Sequence, residues 1–365
     1  MSLVSNEGLS LKGHSDAVNC IVASHQHIAS GADDHTIRTW DQTTQKSTRA
    51  MRSIHGPVQA LSLGTNQTNT CIIAAANTSI LLYDIRVPEI VINRPCTTIE
   101  GAADEISALA LHTDGLSLAA ADDGGNVRIH DLRSGTCRGE LKGCHTNICS
   151  TIAWRPGVPE LVSGGLDSRC VVWDVNTLSA KRTWIAGPSA LPTTDLNFDS
   201  MPKLLNPPFV HSLSHTADGA FMAIALGDGS LQLVDSVGNL LSHMERCHSA
   251  AASGVLFLDG VHENSAHFSN LGIPLLTMGD DLGLNLLHLF GSQASSRDND
   301  DDDKQGEDFP MKRQRNLLSY RSTKMSFTLD NQARLSAKPN DMAVTPSGIV
   351  YVAETIERIE AFSII

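Results

Sequence analysis

At 365 residues the chain is long enough for two ordinary domains or one large all-β domain, and 41% hydrophobic with 18% charged residues is the composition of a globular protein. Its 27 Lys and Arg against 40 Asp and Glu, a net charge of −13, leave too little positive charge for an ordinary nucleic-acid-binding surface, and no stretch approaches the roughly 18 apolar residues of a membrane span. Nearly half of the negative excess is local, because DNDDDDKQGED (298–308) sets seven acidic residues against Lys304.

The opening MSLVSNEGLS has neither a basic n-region nor an apolar h-region, so no export signal is expected. From Leu11 onward a unit recurs. LKGHSDAVNCIV…IASGADDHTIRTWD (11–41) aligns with LKGCHTNICSTIAW…LVSGGLDSRCVVWD (141–174): a Gly and a His, a short apolar strand, a strand ending Ser-Gly, an Asp-bearing turn, then a strand closing on Trp-Asp. Between them lie two degenerate copies, at 54–84 and 102–131, so that Trp40, Tyr83, His130 and Trp173 are equivalent, spaced 43, 47 and 43 residues apart. Weaker copies follow at 209–235, 253–290 and 339–364, which makes seven. Their apolar runs are short and punctuated by turns such as TDG (113–115) and GDGS (227–230), which leaves no room for a long helix.

This repeat resembles the WD-repeat family, whose blades carry four strands each. The resemblance implies an all-β fold, a single seven-bladed WD-repeat β-propeller over 1–365. The last copy ends one strand short, and residues 2–11 are expected to complete it, covering an edge that would otherwise invite aggregation. In the two full copies His14, Asp34 and Trp40, and again His145, Asp167 and Trp173, resemble the family's buried hydrogen-bonded set. A neutral imidazole donates to the carboxylate while accepting elsewhere, and an indole N–H has one donor to place. These residues are expected to be structural, since the blades repeat the pair without a nucleophile. Asn77 and Asp228 take the turn place in weaker copies.

No zinc-type spacing occurs among the 15 histidines or the eight cysteines, and His25-x-His27 reads as a turn pair. The scattered cysteines suit a reducing compartment, cytosol or nucleus. Gly-x-Ser-x-Gly, Gly-x-Gly-x-x-Gly and the P-loop are absent, so neither an enzyme nor a cofactor is expected. Two stretches interrupt the period. Residues 177–208 read as a surface excursion plus one strand, and 291–322, before the last blade, as a disordered acidic-then-basic insertion. Its KRQR (312–315) reads either as solvated loop or as a nuclear signal.

One pattern is not explained by the repeat. Asp84-Ile85-Arg86 and Asp131-Leu132-Arg133 stand at the same place in adjacent copies, whereas Asp41-Gln42-Thr43 and Asp174-Val175-Asn176 lack the arginine. An arginine at the turn after the third strand lies on a propeller rim, where its planar fork reaches a carboxylate or carbonyl of another protein. The pair resembles the double WD-x-R motif of propellers that dock on the adaptor damage-specific DNA-binding protein 1 of cullin-4 ubiquitin ligases. HTNICSTIAWRPGVPELVSGGLDS (145–168) and ALHTDGLSLAAADDGGNVRIHDLRSG (110–135) are similar to one member of that receptor set. The resemblance implies a non-catalytic substrate receptor with Asp84, Arg86, Asp131 and Arg133 at the adaptor and an unidentified protein substrate elsewhere. It also implies modest affinity, because the ten or so residues ahead of the first copy leave no room for the helical segment several receptors insert. Tyr83 and His130 depart from the family's Trp. Three alternatives stand beside it: Asp84 and Arg86 merely pairing across their turn, a propeller scaffold for a chromatin or RNA-processing complex reading a peptide at its central channel, and a propeller enzyme.

Overall fold

The structure is a computed structural model that describes residues 3–53, 55–64, 70–100, 102–143, 145–187, 206–259, 272–291 and 325–364. The insertion assigned to 291–322, its acidic run and its KRQR therefore lie outside the described residues save for Gly291, as does 188–205 of the first interruption. Every regular element among the described residues is a strand, and the strands form seven sheets, antiparallel but for one short parallel pairing, arranged as a seven-bladed β-propeller.

β1 (Leu3–Lys12) leads into blade one, built from β2 (Val18–Ala23), β3 (Ile28–Ala32), β4 (Thr36–Trp40) and β5 (Ser47–Arg52). Blade two has β6 (Ala60–Leu63), β7 (Cys71–Ala76), β8 (Ser79–Asp84) and, after a short β9 (Val91–Ile92), β10 (Thr97–Ile99). β11 (Ile106–Leu111) to β14 (Thr136–Leu141) make blade three, and β15 (Thr151–Trp154) to β18 (Ser179–Ile185) blade four. Blade five spans β19 (Val210–His215) to β22 (Leu240–Met244), and blade six β23 (Ala252–Phe257) to β26 (Met325–Arg334). In blade seven β27 (Pro339–Val344), β28 (Ile349–Glu354) and β29 (Arg358–Ile364) are joined by β1, whose Leu11 pairs with Ile359. First and last strands thus close one sheet, and the edge of β29 is covered by the chain's own start.

The core is a ring. Seven apolar clusters each straddle one blade-to-blade junction, from Ile37, Met51 and Val58 with Leu81 and Tyr83 between blades one and two to Trp40 with Tyr351 and Ile359 between seven and one. Second strands are buried on both faces, and three of them run to small residues (Ile28–Ala32, Cys71–Ala76, Ser117–Asp122) because neighbouring blades press on them from either side. Near the axis a polar belt stitches the blades together. Asn19 Nδ2 donates to the Val58 carbonyl at 3.3 Å, Ser107 Oγ to Cys149 at 2.8 Å and Asn340 Nδ2 to Val18 at 2.9 Å, while Ser150 does the same to Val210. Asn19, Ser107 and Asn340 occupy irregularities in the inner strands of blades one, three and seven, which aim an extra side chain sideways.

β9 is an element the repeat did not foretell. Leaving blade two after Arg86, the chain crosses to blade one and pairs Val91 and Ile92 in parallel with Ala50 and Met51 of β5, giving that blade a fifth strand.

Candidate functional site

In an antiparallel blade the first and third strands run the same way, so the turns after them share one propeller face. The turns that follow β8 and β13 (Val127–Asp131) carry the recurring Asp-x-Arg on that face. Each residue has a separate task. The Asp caps the turn: Asp84 Oδ1 accepts the Arg86 amide at 2.9 Å and Asp131 Oδ1 the Arg133 amide at 2.8 Å. The middle residue anchors it, since Ile85 and Leu132 are buried and their amides donate to Thr70 and Leu116 at 2.9 and 2.8 Å. The Arg points outward, exposed in both turns.

Other blades show which of these tasks the fold requires. Asp41, Asp174 and Asp235 cap the same turn through the amides of Thr43, Asn176 and Val237 at 3.0, 2.9 and 2.9 Å. The aspartate is therefore turn chemistry in all five blades. Arginine occupies the third place only in blades two and three.

Arg86 does not extend freely. Its Nε lies 3.0 and 3.1 Å from the two Asp84 oxygens and its Nη2 2.6 Å from Oδ2, so one edge of the fork is closed on its own turn. The same contact, with the Arg86 amide, holds the Asp84 carboxyl below the usual range. The Arg86 side chain is still 71% exposed. The turn is further fixed from the neighbouring blade, because Arg49 Nη2 on β5 donates to the Val87 carbonyl at 3.2 Å.

Above the equivalent strands, Tyr83 and His130 replace Trp without loss of burial. The Tyr83 hydroxyl donates to the Arg52 carbonyl at 2.8 Å. His130 Nδ1 is buried with no hydrogen-bond partner among the described residues, and burial with the nearby Arg128 lowers its pKa.

The histidine sets are interior wiring. In blade four Trp173 Nε1 donates to Ser163 Oγ at 2.8 Å, Ser163 lies 2.8 Å from His145 Nε2, and His145 Nδ1 lies 3.1 Å from Asp167. An indole can only donate, so the serine hydrogen goes to Nε2 and the imidazole is neutral with its proton on Nδ1. Blade one repeats the chain through Trp40, Ser30, His14 and Asp34 at 2.8, 2.8 and 2.9 Å. Burial pushes Asp34 and Asp167 up, but the bonds from His14 and His145 and from backbone amides outweigh it and hold both below the ordinary carboxylate range. With the acceptor nitrogen occupied and every member buried except the half-buried Asp34, these sets offer no nucleophile or open base. A third set escaped the sequence reading: His248 Nδ1 lies 2.9 Å from Asp281 and Nε2 3.0 Å from Thr277, with Leu287 at the Trp position.

Seven inner strands line a central cavity of about 320 Å3, with Asn19, Gln59, Ser107, Ser150, His211, Ser253 and Asp341 among its walls. Asp341 accepts the Ile21 and Met342 amides at 2.9 and 2.8 Å, yet burial pushes its carboxyl up to about 7. Among the described residues no three His, Cys, Asp or Glu side chains are placed to hold a metal ion.

A family model described as WD domain, G-beta repeat matches residues 6–41, 93–131 and 135–174. The chain is 29% identical over 238 residues to a WD repeat-containing protein 53 homolog of Dictyostelium discoideum, covering 60% of this chain and 62% of that protein. It is 27% identical over 148 residues to the target of rapamycin complex subunit wat1 of Schizosaccharomyces pombe, covering 40% and 45%, and 26% identical over 267 residues to the nuclear distribution protein nudF of Aspergillus niger, covering 68% and 56%. The chain thus spans less than two thirds of the length of each of these relatives. The WD40 β-propeller domain of Doa1 superposes with a TM-score of 0.68 at 14% identity, over 99% of this chain and 97% of that one. The chain folds as a seven-bladed β-propeller, and three of its segments are similar to the WD domain, G-beta repeat.

Proposed function

We propose that this propeller is a non-catalytic substrate receptor that docks on the cullin-4 ligase adaptor, damage-specific DNA-binding protein 1, with Arg86 and Arg133 as the contacts. The observation that carries the reading is the contrast among the five capped turns. The aspartate and the buried middle residue serve the turn, whereas arginine is added in only two adjacent blades and points away from the fold. In this reading Asp84 and Asp131 present the arginines rather than touch the adaptor. Docking opens the Asp84–Arg86 fork or uses the guanidinium edge that Asp84 leaves clear. Affinity capture from cell extract, with wild type beside an Arg86→Ala, Arg133→Ala double variant of equal melting temperature, tests it. The wild type retains the adaptor and the variant does not. Equal retention, or none by either, refutes the assignment.

A second reading, a scaffold in another multiprotein assembly, is favoured by one observation: relatives at 27% and 26% identity carry names that place them in a target of rapamycin complex and in nuclear distribution. Partners captured equally by wild type and double variant, without the adaptor, would select it.

A further inference from the structure

The outer edge of blade one holds a feature that neither the repeat nor the adaptor reading uses. Arg38 on β4 and Arg49 and Arg52 on β5 line one cavity of about 370 Å3, together with Thr36, Ser47, Thr48, Ile90 and Val91. In a chain of net charge −13 several arginines are matched: Arg86 with Asp84, Arg128 with Asp122 and Glu140, Arg155 with Glu160, Arg358 with Glu354 and Glu360. Arg38, Arg49 and Arg52 are not, nor, among the described residues, are Arg94, Arg138, Arg182, Arg246 and Arg334, but only the first three line one cavity. Among the described residues no carboxylate forms an ion pair with any of them, Arg38 Nε is buried without a hydrogen-bond partner, and Arg49 gives one nitrogen to the Val87 carbonyl.

Arg38 and Arg52 project from one face of the β4–β5 pair, with Thr36 opposite Arg52 and Arg38 opposite Ala50, while Arg49, opposite Thr39, projects from the other, so two like charges flank the concavity and favour an oxyanion between them. A carboxylate saturates on a single fork, whereas a phosphate group, with close to two negative charges and three acceptor oxygens, engages two or more. The Thr36, Ser47 and Thr48 hydroxyls add donors on the same walls. Beside the charges, Ile90 is 72% and Val91 43% exposed, an apolar sill that a free phosphate ion would not use. β9 pairs only with Ala50 and Met51, so the Ser47–Arg49 stretch of β5 lies beyond that ladder.

We propose that this groove binds a phosphorylated, extended segment of a partner protein, with the phosphate between Arg38 and Arg52 and a neighbouring apolar side chain on Ile90 and Val91. The proposal stands apart from adaptor docking, which uses other arginines.

The test is retention of an oriented peptide library with phosphoserine fixed at its centre and randomised flanks, beside the same library with serine or glutamate fixed. Wild type should retain the phosphoserine library at least about tenfold over the other two, with Ile, Leu or Val selected next to the fixed position, and Arg52→Gln, whose side chain is exposed, should abolish that preference at unchanged melting temperature. Loss in Arg52→Gln with full retention in Arg86→Ala separates this groove from the docking rim. Equal retention of the serine library, equal retention of the glutamate library, or retention unaffected by Arg52→Gln would each overturn the proposal. So would selection that inorganic phosphate alone displaces with no preference for apolar flanks, which marks a simple ion site.

Discussion

Removing one oxygen from blade four discriminates sharply between buried wiring and ordinary packing. Ser163 is fully buried, and its hydroxyl is the only link between the Trp173 indole and the His145 ring. Ser163→Ala leaves an N–H donor and a ring-nitrogen acceptor without partners in a site water does not enter. Each orphan costs about 1–3 kcal/mol, so a total of about 3 kcal/mol is expected. Blade six supplies the control. Thr277→Val keeps volume, strands only His248 Nε2 and removes the weak Cys247 thiol contact at 3.5 Å, because Leu287 stands where the indole would be, so about 1.5 kcal/mol is expected. For a propeller of this size a loss of 1 kcal/mol lowers the melting temperature by about 2 °C, which gives about 6 °C for the first variant and about 3 °C for the second. Differential scanning calorimetry of both resolves this. A Ser163→Ala change within error of wild type, or one no larger than Thr277→Val, would refute the argument that the network's worth lies in satisfying buried polar groups.

Three further outcomes are expected. Asp341 is charged with difficulty in its folded place, so its contribution is present below about pH 4 and lost as pH rises through about 7. The rise from the ordinary value to about 7 corresponds to roughly 2–4 kcal/mol at high pH, so Asp341→Asn should raise the melting temperature at pH 8 by several degrees more than at pH 5; an equal gain at both pH values refutes it. The signs reverse for Asp34, Asp167 and Asp281, whose stabilisation is present above about pH 4 and lost on acidification, so Asp→Asn at all three should flatten the acid limb of a melting-temperature profile. Arg128, which bridges the buried Asp122 and Glu140 at 2.9 and 2.7 Å, should cost about 3 kcal/mol or more when changed to Ala, measured by chemical denaturation, because it strands a carboxylate in the interior.

The architecture was legible where residues of unlike chemistry recur at fixed offsets. His, Ser, Asp and Trp fall in one order in blades one and four because each has a donor or acceptor that only the others satisfy, and that necessity leaves a spacing: 20 residues from His14 to Asp34 and 22 from His145 to Asp167. His248 and Asp281 make the same contact across 33 residues, since the turn between β23 and β24 (Ile273–Gly279) is enlarged, and the lengthened interval hid them. Two strand residues at 91–92 carry no period at all, so β9 was invisible; it exists because the chain leaving Arg86 finds the free edge of β5. The arginine groove was hidden for another reason. Arg38 and Arg52 share a face because register sets Thr36 opposite Arg52 and Arg38 opposite Ala50, and register is a property of the pairing, not of either strand. At the rim, both the Asp84–Arg86 pairing and outward-pointing arginines were open readings, and the structure holds both at once: Arg86 is clasped by its own turn and still 71% exposed.

The measurement that tests the central claim most directly is a titration of purified adaptor against immobilised propeller by biolayer interferometry, comparing wild type, Arg86→Ala, Arg133→Ala and the double variant. Saturable binding that weakens by at least about tenfold in each single variant and disappears in the double variant is the expected result. Binding that survives the double variant unchanged, or an intact wild type that never binds, would contradict the assignment of the two arginines as the docking site.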